Sequence, residues 1–95
     1  MPRKKTYRHI CGKPSITYFK PAGVPLRDIT ETELTLDEYE SIRLADYEGL
    51  YQEEAAKLMN ISRQTFGRII SSAHQKIAQA LINGNAIAIK DKPDE

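Results

Sequence analysis

The chain has 95 residues, 40% of them hydrophobic and 28% charged, with one cysteine and a formal net charge of +1. That is a single domain's length, too short to hold a cofactor-binding domain beside a substrate domain, and Cys11 alone cannot form an internal disulfide. No run approaches the roughly 18 apolar residues that cross a bilayer, and no apolar core follows the basic N-terminus as in a secretory signal. The expectation is a cytoplasmic protein that engages no membrane.

The small net charge conceals blocks. Residues 1–27 carry Arg3, Lys4, Lys5, Arg8, Lys13, Lys20 and Arg27 and no acid, whereas 28–54 carry ten acids against Arg43 alone. Residues 55–95 are basic again, and within 55–85 the only charges are Lys57, Arg63, Arg68 and Lys76. Such blocks point to a polyanion partner even at near-neutral net charge.

In chain order, residues 1–9 read as a disordered basic arm. Arg3, Lys4, Lys5 and Arg8 suit a flexible tether on phosphates, with a solubility tail as the plain alternative. Pro14, Pro21 and Pro25 with Gly12 and Gly23 forbid a long helix over 10–35. Ile16-Thr17-Tyr18-Phe19 is a short strand candidate, Lys20 to Gly23 a turn, and the rest of 20–34 is expected to be extended loop. Thr35 and Glu38 form a capping-box pattern, so a helix is predicted over 36–47, stopping at Gly49. Leu36, Tyr39, Ile42, Leu44, Ala45 and Tyr47 supply its apolar surface. Arg43 among them either snorkels to solvent or pairs with Glu53 or Glu54.

A second helix fits 52–59, with a turn at Asn60-Ile61. Ser62 caps a third helix that runs to about Ile82 and ends at Asn83-Gly84. Phe66, Ile69, Ile70, Ala73, Ile77, Ala80 and Leu81 recur along it at spacings of three and four. Ala86 to Ile89 is a second strand candidate, and 90–95 a solvated tail. A lone two-stranded ribbon is marginal in water, so the strands should pair with each other or with a second copy. The predicted fold is mainly α: a basic arm and extended segment over 1–34, a three-helix domain over 35–84, and a short strand and tail over 85–95, with one or two short strands near the termini.

The informative segment is 52–69. Ala56 is small where two helices cross, Met59 and Ile61 fill the corner, and Phe66 and Ile69 anchor the following helix. Ser62, Arg63, Gln64, Gly67, Arg68 and Ser71 are left on an outer face that is basic and free of acids. A helix-turn-helix reading a major groove needs such a face, with its N-terminal residues toward the base edges. Arg63, Gln64 and Arg68 match guanine and adenine edges or adjacent phosphates. Ser62, Thr65 and Ser71 would position the helix on the backbone, Lys76 would add charge, and free amides near Gln52 and Ser62 could hold phosphates. Gly67 costs ~1 kcal/mol in mid-helix. It reads as clearance for a duplex, clearance for a protein neighbour, or simple tolerance.

Residues 36–82 resemble the helix-turn-helix of sigma factor region 4 and its relatives among response regulators. The residues that carry this are Leu44-Ala45, Glu48-Gly49-Leu50, Glu53-Glu54-Ala55-Ala56, Leu58-Met59, Ile61-Ser62-Arg63 and Thr65-Phe66. Asn60 stands where the turn usually has glycine, and Tyr51 where the cap is often serine. Together with Tyr18 to Leu26, Leu34 to Glu38 and Ser62 to Ile69, the chain over roughly 10–89 resembles one small, uncharacterised prokaryotic family predicted to bind DNA. The resemblance implies a sequence-specific DNA-binding protein, a transcriptional regulator that binds double-stranded DNA.

The acids of 28–54 read as a solvated face, or as a docking surface for the chain's own arm or the transcription machinery, with no pocket that would suit them to acid–base chemistry. No enzyme activity, catalytic residue or cofactor is therefore expected. His9 and Cys11 are half a metal site without a second ligand pair, the only other histidine being His74. A metal site shared across a dimer stays open, and Cys11 is otherwise a packed residue or a free thiol. Ile77, Leu81 and Ile82 exceed what three helices need to cover, so they suit the N-terminal strand or the second subunit of a homodimer. The rival functional reading is a protein–protein interaction module built on the same scaffold.

Overall fold

A computed structural model of the chain describes residues 14–91. The expectations for Arg3, Lys4, Lys5 and Arg8, for His9 and Cys11, and for the end of the tail lie outside those residues. The fold is mainly α, with three helices and a small three-stranded sheet.

The first helix starts where the sequence places its cap. The Glu38 N–H donates to Thr35 Oγ1 at 3.3 Å, and the Thr35 N–H donates to the Glu38 carboxylate at 2.9 Å, a reciprocal capping box. From there α1 runs Leu36–Ile42. The chain stays helical to Tyr47, as predicted, but Arg43–Tyr47 forms a wider π turn. Its register is fixed by the Glu48 N–H donating to the Arg43 carbonyl at 2.8 Å. Gly49, at φ 77, then reverses the chain so that the Leu50 N–H reaches the Leu44 carbonyl at 3.1 Å.

The π turn also decides the partner of Arg43, which is neither Glu53 nor Glu54. Its Nε and Nη2 donate to the two oxygens of Glu40 at 2.9 and 2.8 Å, and Nη1 reaches Glu48 at 3.3 Å. Glu40 is one turn behind and Glu48 one wide turn ahead, so both lie closer than any acid of the next helix. Glu40 is buried, and this bidentate contact compensates its desolvated charge.

Helix α2 spans Gln52–Met59 and helix α3 spans Arg63–Asn83. Between them Asn60 adopts the left-handed conformation, φ 61 and ψ 45, which asparagine tolerates. Ser62 Oγ then accepts from the Thr65 N–H at 3.0 Å and starts α3. The helix stops at Gly84, φ 71, as expected. Leu44, Ala55, Ala56, Met59, Phe66 and Ile70 form one core cluster around the turn. Ile70 is the buried anchor where Ile69 was expected; Ile69 is only half-buried. Position 70 lies four residues beyond Phe66 and so stacks over it on the same face.

The sheet corrects the expectation of an extended loop over 20–34. Strand β1 is Tyr18–Phe19, β2 is Glu31–Thr35 and β3 is Ala86–Lys90, in the order β1-β3-β2. The short strand predicted over 16–19 contracts to two residues, while β2 is an addition. Its Thr32 and Leu34 point inward and its Glu31 and Glu33 outward, the period-2 alternation of a half-buried strand. With threonine at the other inward position, Leu34 is the single apolar residue that marks the buried face, which hides the pattern. β3 pairs antiparallel with β1 and parallel with β2, with Leu34 opposite Ile89, so the strands do pair within one chain. Leu34, Ala73 and Ile89 form a second core cluster that packs the sheet onto the middle of α3.

One polar group joins the two helical layers. The Glu38 carboxylate accepts from Ser72 Oγ at 2.7 Å and from Lys76 Nζ at 2.8 Å, both on α3. Burial pushes this carboxyl up, but the Lys76 hydrogen bond, the Thr35 N–H, the Ser72 hydroxyl and the Lys76 charge outweigh it. They hold the group below its ordinary 4.5. A carboxyl whose folded value is depressed stabilises the fold above its unfolded value and loses that contribution as pH falls through the folded one. Urea midpoints should therefore fall below about pH 4.5, and Glu38→Gln should remove this group's share of the decline. An acid limb unchanged by Glu38→Gln would show that the carboxyl does not titrate in this way.

Candidate nucleic-acid interface

Ser62 sets the phase of α3, and the phase sorts its side chains. Phe66, Ile70, Ala73 and Ala80 face the interior. Arg63, Gln64, Gly67, Arg68 and Ser71 fall on the other side, within about 140° of arc at 100° per residue. With Ser72 and Gln75 they form one open, solvent-facing surface, a groove only in being shallowly recessed between side chains. Arg63, Gln64, Arg68 and Ser71 are exposed, and Gly67 is half-buried. Among the described residues neither arginine forms an ion pair, and no acid lines the groove.

Ser62 and Thr65 are joined at the helix start. Ser62 Oγ donates to Thr65 Oγ1 at 3.0 Å while accepting the Thr65 N–H. Gln52, at the start of α2, reaches the same place. Its Oε1 lies 3.5 Å from where a Cβ on Gly67 would stand. Tyr51 caps α2 with no side-chain hydrogen bond, as its phenol requires. The fold thus brings together Gln52, Ser62, Arg63, Gln64, Thr65, Gly67, Arg68 and Ser71.

Lys76 is not among them. Its ammonium turns to Glu38 on α1, because positions 72 and 76 sit one turn apart on the flank of α3 that faces that helix. The sequence reading treated Glu38 only as a cap residue and missed that it also receives α3. It missed Gln75 as well, although Gln75 continues the stripe four residues beyond Ser71. The acids divide by burial: Glu38 and Glu40 are buried and partnered, while Asp28, Asp46, Glu48, Glu53 and Glu54 are exposed. His74 Nε2 lies 2.6 Å from Asp46 Oδ2. Among the described residues no helix is long and apolar enough to cross a membrane.

Gly67 has ordinary helical dihedrals, and an added Cβ would meet nothing closer than that 3.5 Å contact. Packing within the chain therefore does not demand glycine. Gly67→Ala should raise stability by ~0.5–1 kcal/mol through helix propensity. Thermal denaturation checks this, and a lower Tm would mean that α2 needs the gap.

A family model described as "Protein of unknown function DUF134" matches residues 1–93. A UPF0251 protein of Caldanaerobacter subterraneus subsp. tengcongensis is 54% identical over 90 residues, which cover 95% of this chain and 76% of that relative. A UPF0251 protein of Prosthecochloris aestuarii is 53% identical over 88 residues, covering 93% of this chain and 57% of the relative. One from Moorella thermoacetica is 51% identical over 90 residues, covering 95% and 60%. No solved structure matches. The family match takes in all three helices and all three strands, and the chain belongs to the DUF134 family of UPF0251 proteins.

Proposed function

We propose that this chain is a sequence-specific DNA-binding protein that regulates transcription. In this reading α2, the turn after it and α3 act as a helix-turn-helix, and the first half of α3 lies in the major groove. One observation carries it: Arg63, Gln64 and Arg68 project from an exposed, acid-free face whose reverse side is sealed by Phe66 and Ile70. An α-helix with its side chains is ~10–12 Å across and the groove ~12 Å wide, so the face enters without rearrangement. The arginines supply forked donors for guanine, and Gln64 the donor–acceptor pair for adenine. Ser62, Thr65, Ser71 and Gln52 hold the phosphates on either side. No catalytic step and no cofactor are needed.

The test is selection from a genomic DNA pool, followed by affinity measurements over about 50–200 mM salt. Enrichment of a short motif and a steep fall of affinity with salt are expected. Absence of enrichment overturns the reading. A protein complex that survives nuclease and high salt in that case would establish the interaction-module alternative.

A further inference from the structure

The second half of α3 carries a face that the described residues leave bare. Ala78, Leu81 and Ile82 share one side at spacings of three and four, and all are exposed, Leu81 at 74% and Ile82 at 85%. Beside them a groove of about 340 Å³ opens between Phe19, Pro21, Leu81, Gly84 and Ile87. Phe19 itself is 53% exposed. The patch carries no acid, and Lys20 at its margin spends its ammonium on the carbonyls of Pro21 and Val24, at 3.2 and 2.7 Å. The patch itself is therefore apolar, with Lys20 its single charge, at the margin.

We infer that this face is where a second copy of the chain docks, Ile82 and Leu81 of each copy entering the groove of the other. The ridge at the end of α3 adjoins a groove shared by α3, β1 and β3, with Leu81 in both, so one patch can serve on both copies as a two-fold interface requires. The exposed apolar side chains offer roughly 500 Å² per copy, so pairing removes ~1,000 Å² in all, the lower bound for a specific interface and the size of a weak dimer. The face also lies at the far end of α3 from the arginines. Gly67 and Ile82 are separated by ~22 Å of helix at 1.5 Å per residue. Two such arms joined at their C-terminal ends reach at most ~45 Å, and a moderate inclination to the dyad sets the two arginine faces ~34 Å apart, one turn of duplex. That spacing rests on the proposed DNA reading; the pairing itself does not.

Sedimentation of the whole chain without DNA tests the pairing. Wild type should sediment at twice 10.8 kDa, and Leu81→Asp with Ile82→Asp should raise the dimer dissociation constant ~100-fold or more. Both side chains are exposed, so the variant should keep the wild-type circular dichroism spectrum, with Tm lowered by only several degrees because the two acids stand in the last turn, at the negative helix end. On DNA it should still bind one half-site and lose the gain from two sites one turn apart. A wild type that stays monomeric at about 100 μM, above the ordinary range of specific dimers, overturns the inference. So does a dimer that persists in the double variant. Failure of the DNA reading would appear separately, as dimers that bind no duplex.

Discussion

Alanine at both Arg63 and Arg68 should weaken specific binding to a selected duplex by ~2–6 kcal/mol, at least ~30-fold. Each guanidinium that contacts a base edge or phosphate is worth ~1–3 kcal/mol, about 5- to 150-fold in affinity. The two sites are five residues apart on one rigid helix, so their losses should come close to adding. Neither arginine has an ion pair among the described residues, and each is exposed, so removing it should leave the fold unchanged. The single variants separate two roles. An arginine on a base should relax preference at one position of the motif, whereas one on a phosphate should weaken all sequences alike and reduce the salt slope by about 1. Arg27→Ala, the same charge change in the exposed turn at Leu26–Asp28, is the control. If the double variant binds as tightly as Arg27→Ala, this face does not touch DNA.

Phe66→Ala should cost ~3–5 kcal/mol. Phe66 is fully buried between α2 and α3, with Ala55, Ala56 and Met59 around it. Two of these neighbours are alanines, whose short side chains cannot reach into the space left behind, so the cavity would stay open. A domain of this size holds only about 5–15 kcal/mol of stability in total. Tm should fall by roughly 12–40 °C, given ~4–8 °C per kcal/mol for small domains. Thermal melts followed by circular dichroism check this, with Met59→Leu as a near-isosteric control expected to lose less than about 1.5 kcal/mol. A fall of only a few degrees for Phe66→Ala would mean that the ring does not anchor α3.

Arg63, Arg68 and Phe66 all lie on α3, and their places on it are legible in the sequence. The cap at Ser62, the stop at Gly84 and the apolar stripe between them depend on neighbours within four residues, so the sequence states them directly. The same holds for the Thr35–Glu38 box. Three other features depend on distant partners or on geometry without a residue signature. Strand β2 exists because Ala86–Lys90 lies beside it, over fifty positions away, and its outward glutamates carry no strand preference of their own. The Glu38 contacts with Ser72 and Lys76 follow from how α1 crosses α3, which no local spacing reveals. The π turn replaces an ordinary one without any proline or glycine inside Arg43–Tyr47 to announce it, and it redirected Arg43 to Glu48. At the candidate site, the exposed face of α3 is legible because it is one helix, whereas the Lys76–Glu38 contact is not, because it joins two.

The placement of β3 at the centre of the sheet has a bearing on synthesis. β1 and β2 each bond to β3 and not to each other, so both wait without a partner while all three helices are being made. A chain that has emerged through α3 but not beyond it has every residue of the cluster around Phe66, yet must hold two orphan strands in water. Leu34 stays bare until β3 arrives, so closure of the sheet waits on Ala86–Lys90 and comes as one step rather than gradually.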